Sequence, residues 1–381
     1  MSISNFLNLF DKNISSKYCR QFYTRFEVGK TGLCWMCCPS WLPNVIGNLN
    51  DQTVKEIWNG DAAQKLRNQM FDNEWLDCKR DKCPMIISDS LPEKTDILNA
   101  IPNEYNPHPI SRMVYDWEIE AVKNKNLISY PYPVSILFGT DESCNLQCPS
   151  CRTSKIQFIE GPEYEKRKFL TDKLVKELLE IDPSIKLEFW ITGSGDPFGS
   201  KIYREMLQNI NGKAYPNLSI NLQTNGNMFT PKMYKKISNI HDNLRNCQIS
   251  FDAGTKDTYE NKTRIGGNWD LLLKNCDFLN TVANDNKLFH LSFDFVIQTK
   301  NYKEIIPFIE LTKSRYPNVI GVDFSLISNW STWPIKEFEQ QCVWKPEHPE
   351  YNELLKILRD PIFYDDLVHL GNAQYLREKL T

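Results

Sequence analysis

The sequence predicts an α/β fold: six strand–helix units curled into a partial (β/α)6 barrel, with a small cysteine-rich domain ahead of it. Three observations lead there. From residue 133 onward, apolar β-rich runs alternate with helical stretches. A C-x3-C-x2-C run directly follows the first of those strands. Six further cysteines, Cys19, Cys34, Cys37, Cys38, Cys78 and Cys83, crowd the region before the alternation begins.

Strands are predicted at 134–138, 187–191, 218–222, 248–251, 291–297 and 319–326, with helices at 173–181, 203–210, 232–240, 270–282 and 304–315. Such alternation implies a parallel sheet with helices outside. Right-handed crossovers then curl it toward a partial TIM-like barrel. Ligands in such folds sit at the carboxyl ends of the strands, which places the cysteine run at the functional end. The expected division is a cysteine-rich domain at 1–95, a connector at 96–130, the barrel at 131–330 and a tail at 331–381. In the first domain, Thr53-Val-Lys-Glu56 reads as a capping box opening a short helix through Trp58. The connector carries Pro102, Pro107 and Pro109, then a helix from Ser111 to about Asn124. The tail, with Trp330, Trp333 and Trp344 and a helix near Glu353–Arg359, is placed to cover the barrel or close its open side.

At 381 residues, 41% hydrophobic and 24% charged, the composition is that of a globular enzyme. A net charge of −3 offers no bulk attraction for nucleic acid or an anionic membrane. No apolar run reaches the roughly 18–20 residues of a membrane span. The N-terminus lacks a basic segment and a cleavage site, so the expected location is cytoplasmic, with no membrane partner. Twelve cysteines in a reducing compartment do not read as a disulfide framework. Cys247, Cys276 and Cys342 stand alone and suit the core as small hydrophobes. His108, His241, His290, His348 and His369 are dispersed, and no Ser-His-Asp arrangement can be built from them.

The central run reads Cys144-Asn-Leu-Gln-Cys148-Pro-Ser-Cys151. Thiolates suit iron–sulfur clusters or zinc. Structural zinc wants four ligands, and no fourth Cys or His lies nearby in sequence. Three cysteines on one loop can instead hold three irons of a 4Fe-4S cluster. The fourth iron then stays open to bind and reduce a cofactor.

This run, at the end of the first strand of a six-unit series, resembles the radical S-adenosylmethionine (radical SAM) superfamily. The resemblance covers about residues 20–330. It implies that Cys144, Cys148 and Cys151 hold the catalytic 4Fe-4S cluster. It also implies that S-adenosylmethionine is reductively cleaved to a 5′-deoxyadenosyl radical that takes hydrogen from substrate. One departure is Ser150, where the family often has an aromatic residue. Thr192-Gly-Ser-Gly-Asp-Pro197 looks like the family's Gly-Gly-Glu motif, with Asp196 for Glu. Gly193 and Gly195 would let backbone approach the ligand closely, and Asp196 could accept bonds from the methionine ammonium. Asn225, in Thr224-Asn-Gly226, is a cofactor contact or part of an ordinary turn. Ser250 and Asp252 share one strand face and are similar in place to residues contacting ribose or the methionine carboxylate. Asp252 or Thr255 could instead cap the next helix. Val296–Asn301 resembles the segment near the adenine.

The N-terminal cysteines, followed by Ile46-Gly-Asn-Leu49 and Glu56-Ile-Trp-Asn59, resemble the SPASM auxiliary-cluster module or its shorter form, twitch. Such modules usually follow the barrel; here the cysteines precede it. The resemblance implies one auxiliary 4Fe-4S cluster on Cys19, Cys37, Cys78 and Cys83, with Cys34 or Cys38 in reserve. Structural zinc suits four cysteines as well. Taken together, the expectation is a radical SAM oxidoreductase or maturase performing a net oxidation or bond formation. Its electron donor would be a flavodoxin or ferredoxin, and its substrate a peptide, protein or small molecule. The alternative is a non-catalytic iron–sulfur redox sensor or scaffold.

Overall fold

The computed structural model describes residues 14–72, 74–87, 89–102, 114–128, 132–191 and 195–378. The chain forms two compact units, 1–140 with 166–189 and 141–165 with 190–381, and the division runs inside one strand. The class is the predicted one, mixed α/β with mainly parallel strand pairing. Among the described residues, no helix is long and apolar enough to cross a membrane.

The first unit holds β1 (Arg25–Gly29), β2 (Leu33–Trp35), β3 (Gly47–Asn48) and β4 (Ser135–Gly139). β1 pairs antiparallel with β2, β2 antiparallel with β3, and β1 parallel with β4. Phe26 and Val28 point inward and alternate with half-buried neighbours, the period-two pattern of a strand with one buried face. Sequence patterning does not predict β1 to β3; β2 and β3, at three and two residues, are too short to show alternation. The helix Val54–Trp58 opens on the predicted capping box: Glu56 N donates to Thr53 Oγ1 at 3.2 Å and Thr53 N to Glu56 Oε2 at 2.8 Å. Arg67 is fully buried on the helix Asp61–Phe71. It donates to the carbonyls of Phe22, Trp58 and Leu127, each at 2.9 Å, tying three segments together. The connector helix spans Asp116–Asn124, and the predicted start at 111–113 lies outside the described residues.

The strand β5 (Leu187–Ile191) carries the division between the units. The helix Pro162–Leu179 begins well before the predicted Lys173, with Pro162 at its first position, where a missing N–H costs nothing.

In the second unit β6 (Leu218–Thr224), β7 (Leu244–Ser250), β8 (His290–Ile297), β9 (Val319–Leu326) and β10 (Val368–His369) each pair parallel with the next. The helices Lys201–Asn209, Pro231–Lys236, Trp269–Asp285 and Ile305–Arg315 alternate with them. β7 starts at Leu244 rather than Gln248, because Arg245 and Asn246 hide its apolar pattern. The tail contributes β10, which was not predicted, and a helix at Tyr351–Ile357 close to the expected one. The core is aromatic. Phe251 lies 4.7 Å from Phe293 and 5.1 Å from Phe308 between ring centroids, and Phe295 lies 5.2 Å from Phe308. Cys247 and Cys276 sit in this unit's core, as expected of small hydrophobes.

Candidate metal centres

In the second unit the run Cys144–Cys151 is held by a frame of hydrogen bonds around Asp141. Ser143 N and Oγ donate to Asp141 Oδ1 at 3.2 and 3.0 Å, and Ser200 Oγ donates to Oδ2 at 2.5 Å. Cys144 N donates to Ile156 O at 2.9 Å, and Cys151 N to Cys148 O at 3.0 Å. A one-turn bend thus sets the second and third thiols on one loop. Cys144 and Cys148 are buried and Cys151 is exposed.

Two guanidinium groups attend these sulfurs. Arg264 reaches Cys148 Sγ at 3.7 Å, and Arg152 reaches Cys151 Sγ at 3.5 Å while also donating to Glu142 O at 2.9 Å. Asn225 Nδ2 lies 3.7 Å from Cys144 Sγ and donates to Asn145 Oδ1 at 2.9 Å. Burial pushes the Cys144 thiol up to about 12, with the Asp196 carboxylate adding to it and Arg152 opposing. Burial also raises Cys148, against the pull of Arg264. Soft thiols facing fixed cations fit an anionic thiolate cluster, so the donor set suits a 4Fe-4S group here.

Of the remaining predicted cofactor residues, Gly195 packs on this loop's frame, Asp196 connects to the loop through Asn225, and Asp252 connects to it through Arg264. Gly193 lies outside the described residues. A Cβ on Gly195 would come within 2.7 Å of Asp141 O and 2.8 Å of Ser143 O, so only glycine passes there. Asp196 is buried, and four donors share its two oxygens. Phe198 N and Gly199 N reach Oδ1 at 2.9 and 2.8 Å; Thr224 Oγ1 and Asn225 N reach Oδ2, each at 2.8 Å. These fill its acceptor capacity, so Asp196 organises two turns rather than offering a free carboxylate. Ser250 ends β7. Asp252 follows with φ +56°, a left-handed conformation that costs a non-glycine residue of order 1 kcal/mol or more. It is locked by Arg264 Nη2 at 2.8 Å from Oδ2 and by Val296 N donating to Oδ1 at 2.7 Å. Thr255, not Asp252, caps the following helix. A cavity of about 300 Å³ opens against the loop, lined by Gln147, Pro149, Arg152 and Thr153 together with Thr332 and Trp333 of the tail.

Arg152 and Arg264 escaped sequence reasoning. Arg152 could have been suspected as a cation abutting the third cysteine. Arg264 lies 113 positions beyond Cys151 in the chain, and no spacing points to it.

The first unit draws its four candidate cysteines from three segments. Cys19 precedes the helix Gln21–Thr24, Cys37 follows β2, and Cys78 and Cys83 sit in the turn before the helix Pro84–Ile87. Cys83 N donates to Lys79 O and Lys79 N to Trp41 O, at 2.9 and 2.8 Å, which fixes that turn. Burial raises all four thiols, and three of them are raised by others of the four as well: Cys78 and Cys83 act on Cys19, Cys19 and Cys83 on Cys37, and Cys83 and Cys37 on Cys78, which reaches about 12. Cys38 also acts on Cys83. Cys34 points elsewhere: its thiol donates to Gly32 O at 3.3 Å, and the charges acting on it are Lys173 and Glu177. Among the described residues no three His, Cys, Asp or Glu side chains close on a single metal ion. A cluster spreads its cysteine ligands over separate irons and makes no such demand.

A family model described as the radical SAM superfamily matches residues 142–312. A second, SPASM, an iron–sulfur cluster-binding domain, matches residues 19–84. No curated protein is matched.

Proposed function

We infer, given that the chain belongs to the radical SAM superfamily and carries a SPASM auxiliary iron–sulfur module, that it is an oxidoreductase or maturase acting by hydrogen abstraction. Its cofactors are a 4Fe-4S cluster with S-adenosylmethionine and an auxiliary iron–sulfur cluster. Like every enzyme of this superfamily it needs an electron donor and a substrate. Bound to their site, the cluster and S-adenosylmethionine supply reductive cleavage of the sulfonium and a 5′-deoxyadenosyl radical that takes hydrogen from substrate.

The observation that carries the assignment is the single loop of Cys144, Cys148 and Cys151, whose sulfurs meet Arg152, Arg264 and Asn225. These three cysteines hold the catalytic cluster. Gly193 and Gly195 admit the cofactor's methionine part, and Asp196 pins the turns that carry Asn225 and Gly199 around it. Ser250 and Asp252 would contact its ribose or carboxylate, with Arg264 keeping Asp252 in place. Cys19, Cys37, Cys78 and Cys83 hold the auxiliary cluster, which suits a net oxidation or bond formation. The cysteine domain occupies 1–95, the connector 96–130, the barrel 131–330 and the tail 331–381. A flavodoxin or ferredoxin in the cytoplasm supplies the electron, and the substrate is a peptide or small molecule. Anaerobic reconstitution should give about eight irons per chain. With dithionite and S-adenosylmethionine, 5′-deoxyadenosine should form. Two assembled clusters without 5′-deoxyadenosine would overturn the enzyme reading in favour of a redox sensor or scaffold.

A further inference from the structure

The five parallel strands β6 to β10 carry opposite chemistry on their two faces. On one face Phe293 and Phe295 pack on Phe308 of the helix Ile305–Arg315, and Phe293 packs edge-on against Tyr316. Parallel strands usually bury apolar side chains on both faces. The other face departs from that rule. Gln223 stands in register with Gln248, and Ser250, Asp294, Asp323 and His369 stand in register across four strands. Amide, hydroxyl, carboxylate and imidazole groups thus line one strip.

The strip is built and still open. Gln223 Nε2 donates to Asp294 Oδ2 at 3.0 Å, Gln248 Nε2 meets Asp323 Oδ2 at 3.4 Å, and His369 Nδ1 lies 3.0 Å from Asp323 Oδ1. These bonds leave acceptor capacity on both carboxylates. The Asp323 side chain is 38% exposed and that of His369 53%. A Cβ on Gly321 would come within 2.9 Å of the His369 ring, so glycine makes room for the imidazole. Burial first and the neighbouring Asp323 second push the Asp294 carboxyl up to about 8; Asp252 adds to this, while Gln223 and Arg264 oppose it. Two facing carboxylates of this kind are relieved by a cation bearing several N–H donors. Because Ser250 shares the row and Asp252 and Arg264 act on Asp294, the strip adjoins the residues assigned to the cofactor.

We propose that this strip is the substrate-recognition wall and that Asp294 and Asp323 together select a primary ammonium group, carried by a small molecule or by a lysine side chain. The inference rests on the radical SAM reading of this unit. The test uses the full-length, anaerobically reconstituted protein and saturation-transfer NMR with three probes: ethanolammonium, uncharged ethylene glycol, and a blocked Gly-Lys-Gly peptide. Ethanolammonium or the peptide should bind at least about tenfold more tightly than the diol. Affinity should rise as the pH passes about 8, where Asp294 gives up its proton. The better of the two amines identifies the source. Asp294→Asn and Asp323→Asn should each reduce the preference to about twofold or less. Equal binding of amine and diol by the unaltered protein overturns the proposal without recourse to any variant. So do variants of unchanged iron content that keep the tenfold preference. The titration consumes no S-adenosylmethionine, so its failure is distinct from a failure of 5′-deoxyadenosine formation.

Discussion

The two cysteine sites of this protein are built on opposite plans. Cys144, Cys148 and Cys151 come from eight consecutive residues, and their surroundings supply cations, Arg152 and Arg264. Cys19, Cys37, Cys78 and Cys83 come from scattered segments; burial is the strongest influence on each thiol, and the largest charge influence on each is another cysteine. The first is a local site whose loop conformation is set by Asp141 and Ser200. The second exists only once its unit has folded, so metal binding there is also folding free energy. Loss of the loop site should therefore cost chemistry, and loss of the dispersed site should cost stability.

The sharpest way to break that contrast is to replace Cys144, Cys148 and Cys151 together by Ala. We expect 5′-deoxyadenosine formation to fall by at least about 10³-fold, with about four irons retained per chain. Activity that survives would remove the loop from the chemistry. Next in size, Cys78→Ala should halve the iron and lower the melting temperature by about 10 °C, as the loss of a metal-linked element implies. Cys34→Ala should keep the iron, because its thiol points to Gly32 O. A Cys34 variant that loses iron would reverse the ligand assignment.

Much of this was legible in the sequence, though unevenly. The second unit's strands were readable because runs such as Leu291–Ile297 alternate clearly between helices. The cysteine loop was readable because its ligands are neighbours in the chain. The short antiparallel strands of the first unit were not, since Leu33–Trp35 is too brief for a period. Nor was Arg264, whose place beside Cys148 arises only from tertiary packing. Asp196 was recognised by its turn, yet its internal bonding was hidden: a sequence shows a carboxylate but not the four donors that occupy it.

That occupation leads to a third, smaller prediction. Asp196→Asn sets an NH2 group against one of the two donor pairs and should cost about 2–3 kcal/mol of stability. S-adenosylmethionine affinity, followed by equilibrium binding, should weaken about tenfold, and an unchanged affinity would separate Asp196 from the cofactor site. The smallest effect concerns pH. The folded protein keeps the Asp294 proton up to about pH 8, whereas the unfolded chain releases it near pH 4. Stability should therefore decline as pH rises through that window and level off above it, by about 1–2 kcal/mol given partial exposure. Anaerobic urea denaturation of wild type and Asp294→Asn should show the slope in the first and a flatter profile in the second.

β10 has a further consequence. It is two residues long and ends the row of parallel strands beside β9. A full-length strand there would offer another molecule a ladder of unpaired amides and carbonyls. Val368–His369 offers one too short to template further pairing, and it ends on a polar imidazole. The tail thus acts as a stop against edge-to-edge aggregation, and trimming it back past Val368 should bare β9 and make the protein prone to self-association.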